Sequence, residues 1–158
     1  MLRSTSCSWS TSMTIWTVVF SIIILAALGT ILFSQQPNWV FFVILFVLAF
    51  PILLSPRKVQ VTDGAVTVKM VAFSYSIPVK DVEKIEPYKS SPRLRMCGIG
   101  DLFGEVGWFT NEELGKHLAF VTNSSKSYVI YRKNQIPIVV TADDGSIFSQ
   151  FTPQINPV

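Results

Sequence analysis

The hydrophobic and polar positions divide the chain into two parts with different patterns. Two long apolar runs without charge occupy residues 15–33 and 39–54, and the polar, turn-forming residues 34–38 separate them. The first run has nineteen residues, which as a helix rise about 28 Å, close to the ~30 Å thickness of a bilayer's hydrocarbon core. A linker this short joins antiparallel neighbours. The pattern therefore predicts a transmembrane α-helical hairpin over residues 15–54, made of spans 15–33 and 39–54.

After residue 57 the apolar positions recur with a period of two, which is typical of β-strands. Two alternating segments flank the turn signal Asp63-Gly64 and predict a β-hairpin. Residues 80–86 read as a short polar link with Val82 and Ile85 facing inward. Further strands are predicted at 71–79, 93–97, 106–110, 117–122, 127–133 and 136–141.

The end of the chain carries a helix signal. Asp143 or Asp144 is expected to cap a short helix that presents Ile147, Phe148 and Phe151 on one side. The sequence thus predicts three regions: a polar Ser/Thr-rich tail (1–14), the hairpin (15–54) and a mainly β domain (57–158) of about seven strands with a short C-terminal helix.

The distribution of charge orients the predicted hairpin. Apart from Arg3, every charged residue lies at or after Arg57, and the linker between the spans has no positive charge. The positive-inside rule then places both termini and the β domain in the cytoplasm, in a multi-pass protein of the cell membrane. Three alternatives stay open: a cleaved signal peptide with its cut near residues 27–29, a hairpin buried in a soluble protein, and an external domain. In the external domain the cysteines and the glycosylation acceptor at Asn123 would matter.

Composition argues against several classes of function. From residue 57 onward there are twelve basic and ten acidic residues, a balance unlike the concentrated basic stripe of nucleic-acid binders, so no nucleic-acid partner is expected. The two cysteines, Cys7 and Cys97, read as free thiols. His117 is the single histidine, and no cysteine or histidine spacing fits a metal site. We expect no catalytic residues, no metal and no cofactor.

The segment 98–109 holds four of the eight glycines. It is a poor phosphate-binding loop, because no Lys-Ser or Lys-Thr pair ends it. One interpretation is a wide β connection with glycines at positive φ or at bulges, against which Phe103, Trp108 and Phe109 pack. In the other, Phe103 and Trp108 contact lipid or a partner.

Basic residues are dense just before that segment. They are Lys80, Lys84, Lys89, Arg93 and Arg95. Near anionic headgroups each well-placed cation contributes about 1 kcal/mol. Because Asp81, Glu83 and Glu86 are interspersed, the same residues also fit a solvated face of mixed charge.

Several segments together carry a resemblance. They are residues 77–85, 93–100, 107–109 with Gly104, and 138–144 ahead of Phe148, all following two apolar spans. In these features the chain resembles the membrane-anchored bacterial pleckstrin-homology-like (PH-like) domain family. The resemblance implies a bent seven-stranded β barrel or sandwich capped by a helix, although the final helix here is short and ends before Pro153.

These features together predict a non-enzymatic, membrane-tethered PH-like protein that acts as an adaptor or accessory subunit of a membrane protein complex. The alternative is sensing of anionic lipid headgroups by the β domain. The expected partners are the lipid bilayer and either other membrane protein subunits or further copies of the chain. Small residues on the first span would permit close helix packing, namely Ser21, Ala26, Ala27 and Gly29.

Overall fold

The computed structural model describes residues 3–33, 39, 42–43, 46, 50, 52–89, 94–99 and 104–151. These residues contain one long helix, α1 (Thr11–Phe33), and ten strands. The strands are β1 (Arg3–Ser6), β2 (Pro56–Val61), β3 (Ala65–Met70), β4 (Ser74–Pro78), β5 (Val82–Tyr88), β6 (Leu94–Ile99), β7 (Glu105–Asn111), β8 (Gly115–Val121), β9 (Ser127–Arg132) and β10 (Gln135–Thr141). Short 3₁₀ helices lie at Val79–Asp81, Ser124–Lys126 and Gly145–Phe148.

The strands form two sheets. Sheet A has the order β1-β2-β3-β4 and is antiparallel throughout. Sheet B has the order β5-β9-β10-β8-β7-β6, in which only the β10–β8 pair is parallel among the described pairs. Sheet B is curved, since the Asn111 side chain on β7 donates a hydrogen bond of 2.6 Å to the Tyr88 hydroxyl on β5, across three intervening strands.

The predicted hairpin around Asp63-Gly64 is confirmed. It consists of β2 and β3, in which Val59 pairs with Val68 and Val61 pairs with Val66. All four valines are buried. One face of the hairpin therefore contributes these side chains of sheet A to the hydrophobic core. Because side chains alternate along a strand, the same register turns the polar residues of both strands away from it.

Two clusters of buried side chains lie on the opposite faces of sheet B. Ile130, Ile138 and Val140 pack with the valines of sheet A, whereas Val129 and Val139 belong to the second cluster. Strands covered on both faces read as continuous apolar runs rather than as alternating ones. The central position of β9 and β10 therefore explains why their sequences show little polar alternation.

The predicted strands at 93–97, 106–110, 117–122, 127–133 and 136–141 are confirmed as β6 to β10, with ends shifted by up to two residues. The predicted third strand is shorter than expected, because Met70 and Phe73 are joined by a backbone hydrogen bond that closes a turn before β4. The expected polar link after it is largely strand β5, although Val82 and Ile85 do face inward. Charged residues and Pro87 lower the apparent strand propensity of β5.

The short C-terminal helix is present as a 3₁₀ turn. The Asp144 carboxylate accepts a hydrogen bond of 2.9 Å from the Ser146 backbone N–H, and this caps Gly145–Phe148. Ile147 and Phe148 are buried, and the Phe148 ring lies 5.1 Å from that of Tyr128. The turn closes the core between the two sheets at this end.

The N-terminal residues, expected as a polar tail, contain a strand. β1 pairs antiparallel with β2, so that Arg3 lies opposite Val61 and Ser6 lies opposite Lys58. The sequence Arg-Ser-Thr-Ser has no apolar alternation. Its partner strand rather than its own pattern determines this pairing.

The prediction of a transmembrane hairpin is wrong. None of the helices among the described residues combines the length and apolarity that a bilayer crossing requires. The linker 34–38 and half of the second predicted span lie outside the described residues.

The predicted localisation is wrong for the same reason. The positive-inside rule was applied to two predicted spans. It placed a multi-pass protein in the cell membrane, with both termini and the β domain in the cytoplasm. Without a spanning helix among the residues described, the rule has no hairpin to orient. The molecule is mainly β, with one long helix.

Candidate functional site

The basic residues predicted as a contact site begin along β5. Lys80 is exposed in the 3₁₀ turn before this strand, and Lys89 is exposed just after it. Lys84 is half-buried between them. Its ammonium group lies 3.1 Å from a carboxylate oxygen of Glu86 and 4.5 Å from the centre of the Tyr131 ring. The charge of Lys84 is therefore already matched within the protein.

The other predicted contact residues lie elsewhere. Arg95 is on β6, at the opposite end of the strand order from β5, and Trp108 is on the adjacent β7. Arg93 and Phe103 lie outside the described residues. The described residues of the predicted site thus lie on different strands of sheet B, along β5 and its flanks and on β6 and β7.

A cleft of about 550 Å³ opens where β5 ends, beside the 3₁₀ turn between β8 and β9. Its lining residues are Pro87, Tyr88, Lys89, Ser124, Ser125, Lys126, Ser127 and Tyr128. They include two lysines and three serines but no carboxylate. Of the predicted site residues that the structure describes, only Lys89 lines the cleft. The run Ser124-Ser125-Lys126 is the sequence signal for this cleft, although the sequence alone indicates only a glycosylation acceptor that begins at Asn123.

Asp143 is a carboxylate with three hydrogen-bonding partners. It accepts hydrogen bonds from the Ser6 hydroxyl (2.7 Å), the Ser8 hydroxyl and the Lys126 ammonium group (2.9 Å). Burial alone would raise the pKa of Asp143, but these three hydrogen bonds and the charge of Lys126 lower it below its ordinary value. Asp143 therefore joins the N-terminal segment to the turn that borders the cleft.

The two cysteines occupy different environments. Burial, with a smaller contribution from the charge of Asp143, raises the pKa of Cys7 to about 12. The Cys7 thiol donates a hydrogen bond of 3.0 Å to the carbonyl oxygen of Thr141. Cys97 is exposed on β6. Both are free thiols, as predicted.

His117 is fully buried on β8. Its Nδ1 atom lies 2.9 Å from the carbonyl oxygen of Gly115, and its ring stacks on that of Phe109 at 6.3 Å between centres. Among the described residues no cluster of histidine, cysteine, aspartate and glutamate side chains is suitable for a metal ion. These contacts give His117 a structural role in the second core cluster.

The glycine-rich segment forms a close β pairing. Gly98 on β6 lies opposite Gly107 on β7, with φ values of 136° and 144°. A Cβ on either glycine would overlap a backbone carbonyl oxygen of the other strand. The interpretation of this segment as a β connection with positive-φ glycines is confirmed for Gly98, Gly104 and Gly107, while residues 100–103 lie outside the described part.

Helix α1 carries eight large apolar side chains that are exposed in the described part of the chain. We call this set the α1 surface. Its members are Ile15, Trp16, Val18, Val19, Phe20, Ile22, Ile23 and Leu25. One face of the helix is covered, since Thr17 is buried and Ser21 and Ile24 are half-buried, and the exposed apolar side chains occupy the rest of its circumference. Contiguous apolar surface of this kind marks a site of interaction with other molecules.

Two packed and largely antiparallel sheets, closed by a C-terminal turn, form a small β domain with exposed surfaces. A family model described as Bacterial PH domain matches residues 57–155. The chain belongs to the bacterial PH domain family. No curated protein and no solved structure gives a significant match to the chain.

The match confirms the PH-like resemblance, but it does not show membrane anchoring. It begins at residue 57, so β1 and α1 lie outside the matched segment. PH domains are generally non-catalytic modules that bind lipids or proteins. Membership in this family therefore indicates a binding role in general terms.

Proposed function

We propose that the protein is a non-catalytic adaptor or accessory subunit whose α1 surface binds another protein. The observation that carries this proposal is the exposure of eight large apolar side chains between Ile15 and Leu25. Monomeric proteins rarely leave so much contiguous apolar surface in water. The adjoining β domain belongs to a family of binding modules.

The anchoring of α1 to the β domain supports the proposal. The backbone N–H of Ser10, one residue before α1, donates to the carbonyl oxygen of Thr122 at 3.0 Å. The Thr122 hydroxyl in turn donates to the carbonyl oxygen of Ser8 at 2.9 Å. A partner bound along α1 would therefore be held next to the β domain, as an adaptor requires.

The test compares partners recovered from cells that produce the protein naturally, using the full chain in mild detergent. Ile23→Gln and Leu25→Gln place polar groups on the α1 surface, and Val71→Gln makes the same kind of change at an exposed position between β3 and β4. We expect a stoichiometric partner with the wild type and Val71→Gln, and its loss with both α1 variants. Equal recovery with all variants, or no partner with any, would contradict the proposal.

A second candidate function is recognition of anionic headgroups in the cleft at the end of β5. It is favoured by the lining, which includes Lys89 and Ser124 to Lys126 and no carboxylate. Among the described residues Lys89 forms no ion pair, whereas Lys84 and Lys126 are each matched by an acid. Lys89 is thus the cation available to a phosphate group at this position.

Vesicle sedimentation tests this candidate. The assay compares phosphatidylcholine vesicles with and without anionic lipid. Lys80→Ala is the matched control for Lys89→Ala, because Lys80 is also exposed but does not line the cleft. We expect Lys89→Ala alone to weaken binding to anionic vesicles about fivefold, the equivalent of ~1 kcal/mol. Salt should weaken the same binding. Identical binding by the two variants would exclude the cleft as the headgroup site.

A further inference from the structure

Sheet A packs one face against the hydrophobic core and turns the other face outward. The valines of β2 and β3 are buried on the inner side. Because side chains alternate along a strand, the residues between these valines point the opposite way. We call this side the outer face. Its members are Ser4, Ser6, Lys58, Gln60, Thr67, Lys69, Ser74 and Ser76, all exposed or half-buried.

The register of the strands places two lysines side by side on the outer face. Lys58 on β2 lies directly opposite Lys69 on β3, and the pairing continues without a shift from this position to Val61 opposite Val66. Side chains at directly opposed positions have Cβ atoms about 5 Å apart, and like charges at such positions destabilise a sheet. The two lysines therefore lower the stability of the free protein, and a bound anion would relieve their repulsion.

No carboxylate on the outer face balances the two lysines. On its other side each lysine lies opposite a serine, and the remaining members of the face are neutral. Neither lysine forms an ion pair with another described residue. The Ser6 hydroxyl donates to Asp143, but that carboxylate is already paired with Lys126 at 2.9 Å. Two positive charges on this face are thus available to a ligand.

We propose that the outer face of sheet A binds an acidic segment of a partner protein, whose carboxylates lie between Lys58 and Lys69. Complementary charge identifies this occupant, because carboxylates neutralise both ammonium groups and remove their mutual repulsion. Hydroxyl groups surround the lysines, and those of Thr67 and Ser76 lie 3.0 Å apart on the same face. Such a polar surface suits a polypeptide segment, whereas attachment to a bilayer depends on burial of apolar side chains.

The outer face adds a second contact to the proposed function. Lys58 lies opposite Ser6, the last residue of β1, and only residues 7–10 separate Ser6 from the start of α1 at Thr11. A partner bound along α1 can therefore place an acidic segment on the outer face. The two lysines form a site of their own, because binding of an acidic peptide to them does not require the α1 surface.

The test measures binding of a fluorescent oligoglutamate peptide to the full chain in mild detergent, with a Gly-Ser peptide of the same length as the neutral probe. We expect only the acidic peptide to bind, and salt to weaken its binding. Lys58→Gln combined with Lys69→Gln should weaken the binding about tenfold. Lys116→Gln combined with Lys133→Gln removes the same charge from exposed positions outside sheet A and should leave the binding unchanged.

The stability of the free protein gives a second measurement on the same variants. Lys58→Gln combined with Lys69→Gln removes the repulsion between the two strands, so we expect its urea midpoint to lie above that of the wild type. The variant that binds the acidic peptide less would then be the more stable protein. Loss of folding could not explain its weaker binding.

Other outcomes would overturn the inference. They are no binding of the acidic peptide by the wild type, equal binding by the outer-face variant, an equal loss with the control variant, and a lower urea midpoint for the outer-face variant. Binding to phosphatidylserine vesicles without binding to the peptide would also overturn it. Ile23→Gln keeps this inference separate from the proposed function, since it should remove the protein partner of α1 and leave the affinity for the peptide unchanged.

Discussion

Asp143 shows how a single residue joins distant parts of the chain. Ser6, Ser8 and Lys126 all donate to its carboxylate, although 135 or more residues separate it from each serine. Hydrogen bonds to a charged group contribute more than neutral ones. Sequence reasoning treated Asp143 only as a possible helix cap, because no local pattern indicates partners so far away.

The pH dependence of stability tests this role. The pKa of Asp143 is lower in the folded chain than in the unfolded chain. Its contribution is therefore complete above the pH at which the unfolded carboxyl titrates, about 3.9, and is lost as the pH falls through the folded pKa. We expect Asp143→Asn to lower the free energy of unfolding at neutral pH by about 1–2 kcal/mol.

Urea denaturation at pH 7 and near pH 3 measures this effect. The difference between wild type and Asp143→Asn should shrink at the lower pH, because the wild-type carboxylate is then increasingly protonated. Glu113→Gln, at an exposed turn position, serves as a control and should change stability little at either pH. A difference between wild type and Asp143→Asn that is constant with pH would contradict the role given to this carboxylate.

The opposed glycines give a second test at the residue scale. Gly98→Ala would place a Cβ against the Val106 carbonyl at a φ of 136°, and we expect it to destabilise the protein by about 2–3 kcal/mol. Gly64→Ala meets no atom within 4 Å, and we expect a change within about 0.5 kcal/mol. Denaturant midpoints compare the two variants. Equal effects would show that the close approach of β6 and β7 has no energetic consequence.

At the scale of elements, most strands could be predicted from the sequence. Alternation around Asp63-Gly64 located β2 and β3, and the apolar runs located β8 to β10. β1 could not be predicted, since Arg-Ser-Thr-Ser has no strand pattern and its position depends on pairing with β2. The split of the basic residues between β5 and β6 depends on the order of strands in sheet B, which local patterns do not determine.

The burial of the segment after β1 can be checked by thiol labelling. Cys7 is the first residue after β1, and its backbone N–H donates to the carbonyl oxygen of Arg57 at 3.0 Å. Burial and the raised pKa leave almost no reactive thiolate at pH 8. We expect a maleimide reagent to modify Cys97 alone in the native chain and both cysteines after unfolding. Rapid labelling of Cys7 in the native chain would show that the N-terminal segment is not packed as described.

At the scale of the whole molecule, different segments of the sequence indicate the protein family and the exposed helix. The PH-like resemblance came from segments at residue 77 and beyond together with the two apolar runs before them, and the family match over 57–155 confirms its PH-like part. The apolar run 15–33 correctly indicated a helix, but its assignment as a membrane span was wrong. Hydropathy reports that an apolar surface must be covered, and it does not identify what covers it.

If a protein partner covers the α1 surface, a photo-crosslinking amino acid at Ile22 or Leu25 will react with that partner in the full chain within its natural cells. We expect a defined adduct with the same partner protein at both positions, and none at Lys116, which is exposed on β8. Absence of a protein adduct at both α1 positions, or the same adducts at Lys116, would contradict it.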